Sequence, residues 1–175
     1  MSNIRRQIED YAQELEGFIE RNKLPNEWFE RPDHVAFKAA NSQGFDLLIQ
    51  TFRPLSEQIS YIEMDGRRLA TAKLLSHVTL GTFGDIQWVE LMEPRPARVG
   101  SDVVGFEHAE FYFPDFEAAQ AILSDKKVAY DMQDNPGHSW VNIVINSDGQ
   151  ELKLNNGTLE DIVAAETARG ETKFF

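Results

Sequence analysis

Asp33-His34-Val35-Ala36-Phe37 and Glu107-His108-Ala109-Glu110-Phe111 are two copies of one pentapeptide: acid, histidine, small apolar residue, one further residue, phenylalanine. Each copy opens a short alternating run after a turn. If the copies begin two equivalent halves, internal symmetry delivers two imidazoles to one shared cleft. That arrangement is one way to build a metal site.

The pattern around each copy repeats as well. From Asp33 the sequence reads as a strand (33–40), a helix from Phe45 to Leu55 ended near Pro54, a strand (57–64) turning at Asp65-Gly66 into a second (67–76), and a strand from Ile86 to Met92. The second half reads as a strand (106–113), a helix from Phe116 to Lys126 after Pro114-Asp115, and strands near 128–133, 139–146 and 150–155. Both halves are therefore β-α-β-β-β. A period of roughly 70 residues occurring twice predicts a paired domain and not a solenoid. The expected fold is α+β, two fused β-α-β-β-β modules forming a curved mixed sheet around a cleft, with an added helix at each end. The expected organisation is a single pseudo-symmetric domain: an N-terminal helix and connector (1–32), a first module (33–96), a second module (97–157), and a C-terminal helix and tail (158–175). Ile4, Ile8, Tyr11, Leu15, Phe18 and Ile19 form the apolar stripe of the first helix, which Leu24-Pro25 stops. Thr158-Leu159-Glu160-Asp161 starts the last one, Leu159 to Ala168, before a charged tail.

Strand alternation sorts the side chains. Val35 and Phe37, Val89 and Leu91, Ala109 and Phe111, and Leu152 and Leu154 fall on apolar faces. The opposite faces carry His34, Glu90, His108, Glu110, Lys153 and Asn155, with Trp88, Trp140 and Tyr112 as walls. A slip of one residue would bury the ionisable set, so the two faces specify the register.

Composition narrows the chemistry. A chain of 175 residues with 42% apolar residues builds a full core. It contains no cysteine, so any metal must be held by histidine, carboxylate or water. A formal charge of −12 argues against a nucleic-acid partner, since that affinity comes from Lys and Arg against phosphates. No membrane-length apolar run and no signal-like start are present, and the cytoplasm is the expected compartment. Arg95 and Arg98, in the Pro-flanked segment between the modules, sit where they can grip a carboxylate or phosphate. His77 and His138 lie beside loops.

Asp33-His34-Val35, Trp88-Val89-Glu90-Leu91, Gly105-Phe106-Glu107-His108-Ala109-Glu110, Asp148-Gly149 with Lys153, and Glu160-Asp161-Ile162-Val163-Ala164-Ala165-Glu166 together resemble the vicinal oxygen chelate superfamily, and within it the YecM-like proteins. That resemblance implies a metal held by His34, Glu90 and His108, a facial triad suited to zinc, iron, manganese or nickel. It implies chelation of two adjacent oxygens of a small substrate in a lyase, isomerase or dioxygenase reaction. Glu110 or Lys153 would then move a proton, and Trp88, Tyr112, Trp140, Asn155 and Arg95 would contact the substrate. The chain departs from the superfamily at the fourth ligand position, where Lys153 replaces the usual glutamate. A charged ammonium cannot ligate a cation, so Lys153 must point away, be neutral, or stand in for the metal. The last case defines the alternative function: a small-molecule binding protein without metal, with Glu90 paired to Lys153. The expected partner is a small molecule in either case, and the chain is expected to be a monomer or homodimer.

Overall fold

The computed structural model describes residues 2–100, 103–135 and 138–175. Helix α1 (Ser2–Asn22) buries Ile8, Tyr11, Leu15, Phe18 and Ile19 along one stripe. It ends at Lys23, which takes a left-handed φ of 51° while the Leu24 and Lys23 amides bond back to Ile19 and Glu20, so the turn precedes Pro25. Helix α2 (Ser42–Phe52) begins three residues earlier than the apolar spacing suggests, because the Asn41 side chain accepts from the Gly44 amide and caps it. Arg53–Leu55 continues it only as a 3₁₀ turn around Pro54. Asp115 caps α3 (Phe116–Asp125) and Thr158 caps α4 (Leu159–Ala168) in the same way.

The strands are β1 (Pro32–Lys38), β2 (Ser56–Met64), β3 (Arg67–Thr79), β4 (Asp85–Met92), β5 (Gly105–Tyr112), β6 (Asp131–Asn135), β7 (His138–Val144), β8 (Glu151–Asn155) and β9 (Lys173–Phe174). They form one mixed sheet in the order β6-β7-β8-β5-β1-β4-β3-β2-β9. Its centre is the antiparallel β1–β5 pair. Each of these strands has a parallel partner on its outer side, β4 for β1 and β8 for β5, followed by an antiparallel hairpin, so the two β-α-β-β-β units repeat each other. The β2–β3 hairpin turns at Asp65-Gly66 with φ of 53° and 73°, the tight turn that dipeptide favours.

Two expectations are corrected. The strand near 128–133 starts at Asp131, because Lys127 at φ 58° and the Val128 amide are used to close α3. The charged tail is not wholly irregular: Lys173 and Phe174 pair with Tyr61 and Ser60 as an added edge strand.

One core fills the apolar face. Tyr11 and Leu15 of α1, Phe45 and Ile49 of α2, and Ala119 and Leu123 of α3 pack with Val35, Phe37, Val89, Leu91, Ala109, Phe111, Leu152 and Leu154. Fully burying side chains of this size contributes about 1.5–3 kcal/mol each. Helix α4 lies on the opposite face. Its first amide, of Leu159, bonds the Asp33 carboxylate at 2.9 Å, Glu160 pairs with Lys73 at 3.3 Å, and Glu166 lines a small cavity with Thr71 and Glu90. The polar face is thereby roofed over Asp33, Lys73 and Glu90, while the part bordered by Arg95, Trp140 and Lys153 carries an open cavity.

Candidate functional site

The β1–β5 register contains two bulges, and they are equivalent. Pro32 pairs with Phe111 and His34 with Glu110, leaving Asp33 as an extra residue; Ala36 pairs with His108 and Phe37 with Phe106, leaving Glu107 as another. Strict alternation would turn both acids to the apolar face. The bulges instead bring each beside the histidine that follows it. Asp33 Oδ2 lies 2.8 Å from His34 Nδ1, and Glu107 Oε2 lies 3.0 Å from His108 Nδ1. Each imidazole is thus held by its inner nitrogen and presents Nε2 to the polar face, the way a carboxylate orients a metal-ligating histidine. This is the physical content of the duplicated acid-His pair.

The two rings meet edge to face with centroids 5.8 Å apart. One ligand atom from each of His34, Glu90 and His108 lies within 4.8 Å of the others, a spacing that a divalent ion can span. Glu110 reaches the same space. Its Oε1 is 3.4 Å from His108 Nε2, 3.8 Å from His34 Nε2 and 3.6 Å from Lys153 Nζ. Its Oε2 accepts from the Asn155 amide at 2.5 Å.

Lys153 neither points away nor pairs with Glu90. Its Nζ is 3.3 Å from His108 Nε2 and joins Glu110, so the expected Glu90–Lys153 pair is replaced by Glu110–Lys153. The reason is register: Lys153 is opposite Glu110 on the neighbouring parallel strand, whereas Glu90 is two strands further along the sheet. An ammonium can only donate, so its contact with His108 Nε2 and a proton on that nitrogen exclude each other. The ammonium therefore occupies ground among the donors themselves.

Electrostatics follows from burial and neighbours. Burial alone would drive His34 towards its neutral form, but Glu110, Asp33 and Glu90 outweigh it and raise its pKa to about 9. Burial likewise opposes ionisation of Glu110, yet His34, His108 and Lys153 hold its pKa well below the usual carboxylate range. For Lys153 the desolvation penalty is overcome by Glu110, Glu90 and Glu107, and its pKa is raised. Glu107 is pulled strongly down, against burial, by His108 and by Lys38, with which it forms an ion pair.

The remaining sequence-nominated residues divide. Trp140 and Arg95 line a cavity of about 370 Å³ that also carries Lys153, on the open half of the face. Asn155 is fully buried and grips Glu110, so it positions a carboxylate and does not line that cavity. Trp88 lies on the half that α4 covers, beside Lys73, whose ammonium is 5.5 Å from its ring. Tyr112 stacks under the Arg31 guanidinium at 4.1 Å. His77 borders an apolar hollow between α1 and β3, remote from the cluster, and the side chain of His138 lies outside the described residues. Sequence reasoning missed Asp33 and Glu107 as histidine partners, although the acid at the head of both pentapeptides marked them. It also missed Lys38 and Arg67 on the cavity wall.

No helix among the described residues is long and apolar enough to cross a membrane. No curated protein matches the chain. Among solved structures, a structural-genomics protein, EC4020, superposes with a TM-score of 0.77 at 22% identity, covering 94% of this chain and 92% of that one. Methylmalonyl-CoA epimerase from Mycobacterium tuberculosis superposes at 0.52 with 16% identity over 76% of this chain and 91% of its own. A methylmalonyl-CoA epimerase in complex with methylmalonyl-CoA and NH4+ gives 0.50 at 20% identity over 72% and 93%. The fold is that of the vicinal oxygen chelate superfamily. The model of the family described as YecM protein matches residues 1–166, and with nearly the whole length so covered, the chain belongs to the YecM family.

Proposed function

We propose that the protein is a metal-dependent enzyme of the vicinal oxygen chelate type, a lyase, isomerase or dioxygenase acting on a small substrate with two adjacent oxygens. One observation carries this reading: His34, Glu90 and His108 offer ligand atoms within 4.8 Å of one another, and both imidazoles have their other nitrogen tied to a carboxylate. His34, Glu90 and His108 would hold the ion, with Glu110 close enough to join them. Such an ion would supply Lewis-acid stabilisation of negative charge developing on substrate oxygens. The protein's own groups supply the proton traffic. Lys153 is held charged and can donate; Glu110 is held ionised and can accept. Trp140 and Arg95 line the cavity of about 370 Å³ beside Lys153, and that cavity has room for a small organic molecule. The relatives with solved structures include an epimerase bound to methylmalonyl-CoA, a small carboxylate carried on a thioester, which agrees with this class of substrate.

Metal analysis of protein purified without an affinity tag tests the proposal. Near-stoichiometric zinc, iron, manganese or nickel is expected in the wild type and a large loss in His108→Ala. Absence of metal under every supplementation overturns the reading.

A second reading is favoured by the place of Lys153. With its ammonium 3.3 Å from His108 and 3.6 Å from Glu110, the cluster has an internal cation and the cleft works as a metal-free binding site. Thermal-shift screening after chelation separates the two, because only the binder responds to organic ligands without metal.

A further inference from the structure

The cavity wall differs in charge from the rest of the chain. On a protein of formal charge −12, Lys38, Arg67, Arg95, Arg98 and Lys153 all line this one space. Two of these cations are committed, Lys38 to Glu107 and Lys153 to Glu110. Arg67 and Arg95 have no carboxylate partner among the described residues.

The fold brings the segments that carry the two arginines together at one cavity. Arg67 starts β3 immediately after the Asp65-Gly66 turn, and the segment carrying Arg95 passes that turn, with the Pro96 ring 3.8 Å from where a Cβ on Gly66 would stand. Arg67 donates through Nη1 to the Glu93 carbonyl at 3.2 Å, which fixes the side chain. Its Nε is buried and has no hydrogen-bond partner. Across the cavity on β7, Asn142 has a buried Oδ1 that is likewise without a partner. Arg67 Nε, Asn142 Oδ1 and Asn155 Oδ1 are enclosed by protein, so a ligand in the cavity meets the outer nitrogens of the Arg67 and Arg95 guanidinium groups. Of the three acids on the same wall, Glu107 is paired with Lys38, and Asp131 and Glu151 lie on the β6 and β8 strands flanking β7.

We propose that this end of the cavity is an oxyanion subsite: Arg67 and Arg95 bind the carboxylate or phosphate of the substrate. The subsite deepens the proposed function and rests on the same cleft being the substrate site. The substrate is then bifunctional. One end carries the reacting oxygens and the other a full negative charge; Lys153 and Glu107, which line the cavity and touch His108, join it to the His34–Glu90–His108 cluster. Guanidinium groups suit that charge because they bind oxyanions in a two-pronged fashion and remain ionised at every working pH.

Isothermal titration at low chloride with two separate probes, inorganic phosphate and malonate, tests this on metal-stripped full-length protein from which the chelator has been dialysed away. At least one probe binds the wild type, and binding weakens about tenfold in Arg67→Met and in Arg95→Ala, the usual cost of losing a charge-assisted hydrogen bond. Arg95 is exposed on the connecting segment, so Arg95→Ala keeps the question answerable if Arg67→Met fails to fold. His108→Ala, stripped of metal in the same way, retains binding, whereas the metal reading is tested on unstripped protein; the two therefore fail or survive separately. Preference for phosphate points to a phosphate ester as substrate, and preference for malonate to a carboxylic acid. No binding of either probe, unchanged binding in both arginine variants, or loss in His108→Ala alone overturns the proposal.

Discussion

Replacing Lys153 by methionine keeps the length of the side chain and removes its charge from the centre of the site. The side chains of Lys153 and Glu110 are 16% and 8% exposed, so their charges are poorly screened. At 3.6 Å and an effective dielectric near 20, their attraction is about 5 kcal/mol. Part of that is offset by the cost of desolvating the ammonium, which the methionine does not incur. Breaking a buried pair by removing one partner typically costs 3–5 kcal/mol, and the low end applies here because Asn155 and the two imidazoles still surround Glu110. Metal-free Lys153→Met is therefore expected to be about 3 kcal/mol less stable than the wild type, a fall in melting temperature of roughly 6–12 °C for a chain of this size. The same substitution clears a positive charge from among the donors. Added zinc or manganese should accordingly stabilise Lys153→Met more than it stabilises the wild type, recovering much of the loss. Thermal melts with and without metal read both effects. A metal-free variant as stable as the wild type would falsify the claim that the ammonium compensates Glu110. An equal metal-induced gain in the two proteins would show that Lys153 and the ion do not compete for the same space.

Three further outcomes are expected. His34 has a folded pKa of about 9 against an ordinary 6.5, so the native state holds an extra proton between those values; this stability is complete below about pH 6.5 and is lost as pH rises through 9. The gap corresponds to about 3 kcal/mol. Glu107 and Glu110 act in the opposite sense: their folded pKa values are depressed, and their contribution is present above about 4.5 and lost as pH falls below it. Urea midpoints of the metal-free protein should thus peak between roughly pH 4.5 and 6.5, with the alkaline decline flattened in His34→Gln; a midpoint level from pH 6 to 9.5 contradicts the assignment. Glu107→Ala frees the inner nitrogen of His108 and should weaken metal binding by about 10–100-fold in competition with a chelator, while an unaltered affinity would mean that the bulge does not serve the imidazole. The Tyr11 hydroxyl donates to the Glu151 carbonyl at 2.7 Å and accepts from the Ala109 amide at 3.2 Å, tying α1 to both β8 and β5. Tyr11→Phe should cost about 1–3 kcal/mol in denaturant titrations with metal content unchanged, and a neutral substitution would count against that tie.

The roof over half the cleft bears on how these experiments are read. Because α4 meets Asp33 through its first amide, a substitution at Asp33 loosens a helix cap and a histidine together. Glu107 has no such second duty to a helix, which makes it the cleaner probe of histidine orientation.

Much of this was legible in the chain itself, because alternation in a strand depends only on neighbours in sequence. The apolar and ionisable faces of β1, β4, β5 and β8 follow from residues two apart, and the placing of His34, Glu90 and His108 on one surface follows from those faces. Helix starts were less exact where a polar cap such as Asn41 lies ahead of the first apolar residue. The bulges at Asp33 and Glu107 could not be read this way. A bulge is a property of two strands in register, and each acid taken alone alternates towards the core. The partner of Lys153 depended in the same way on which strand lies beside β8, and the proposed anion subsite on a hairpin and an inter-module segment that approach only once folded. The sequence alone determined that two histidines and a glutamate share a face, because period-two geometry is local. Only the tertiary structure decided that each histidine is held by its preceding acid and that an ammonium stands among the donors, because those contacts are made between strands.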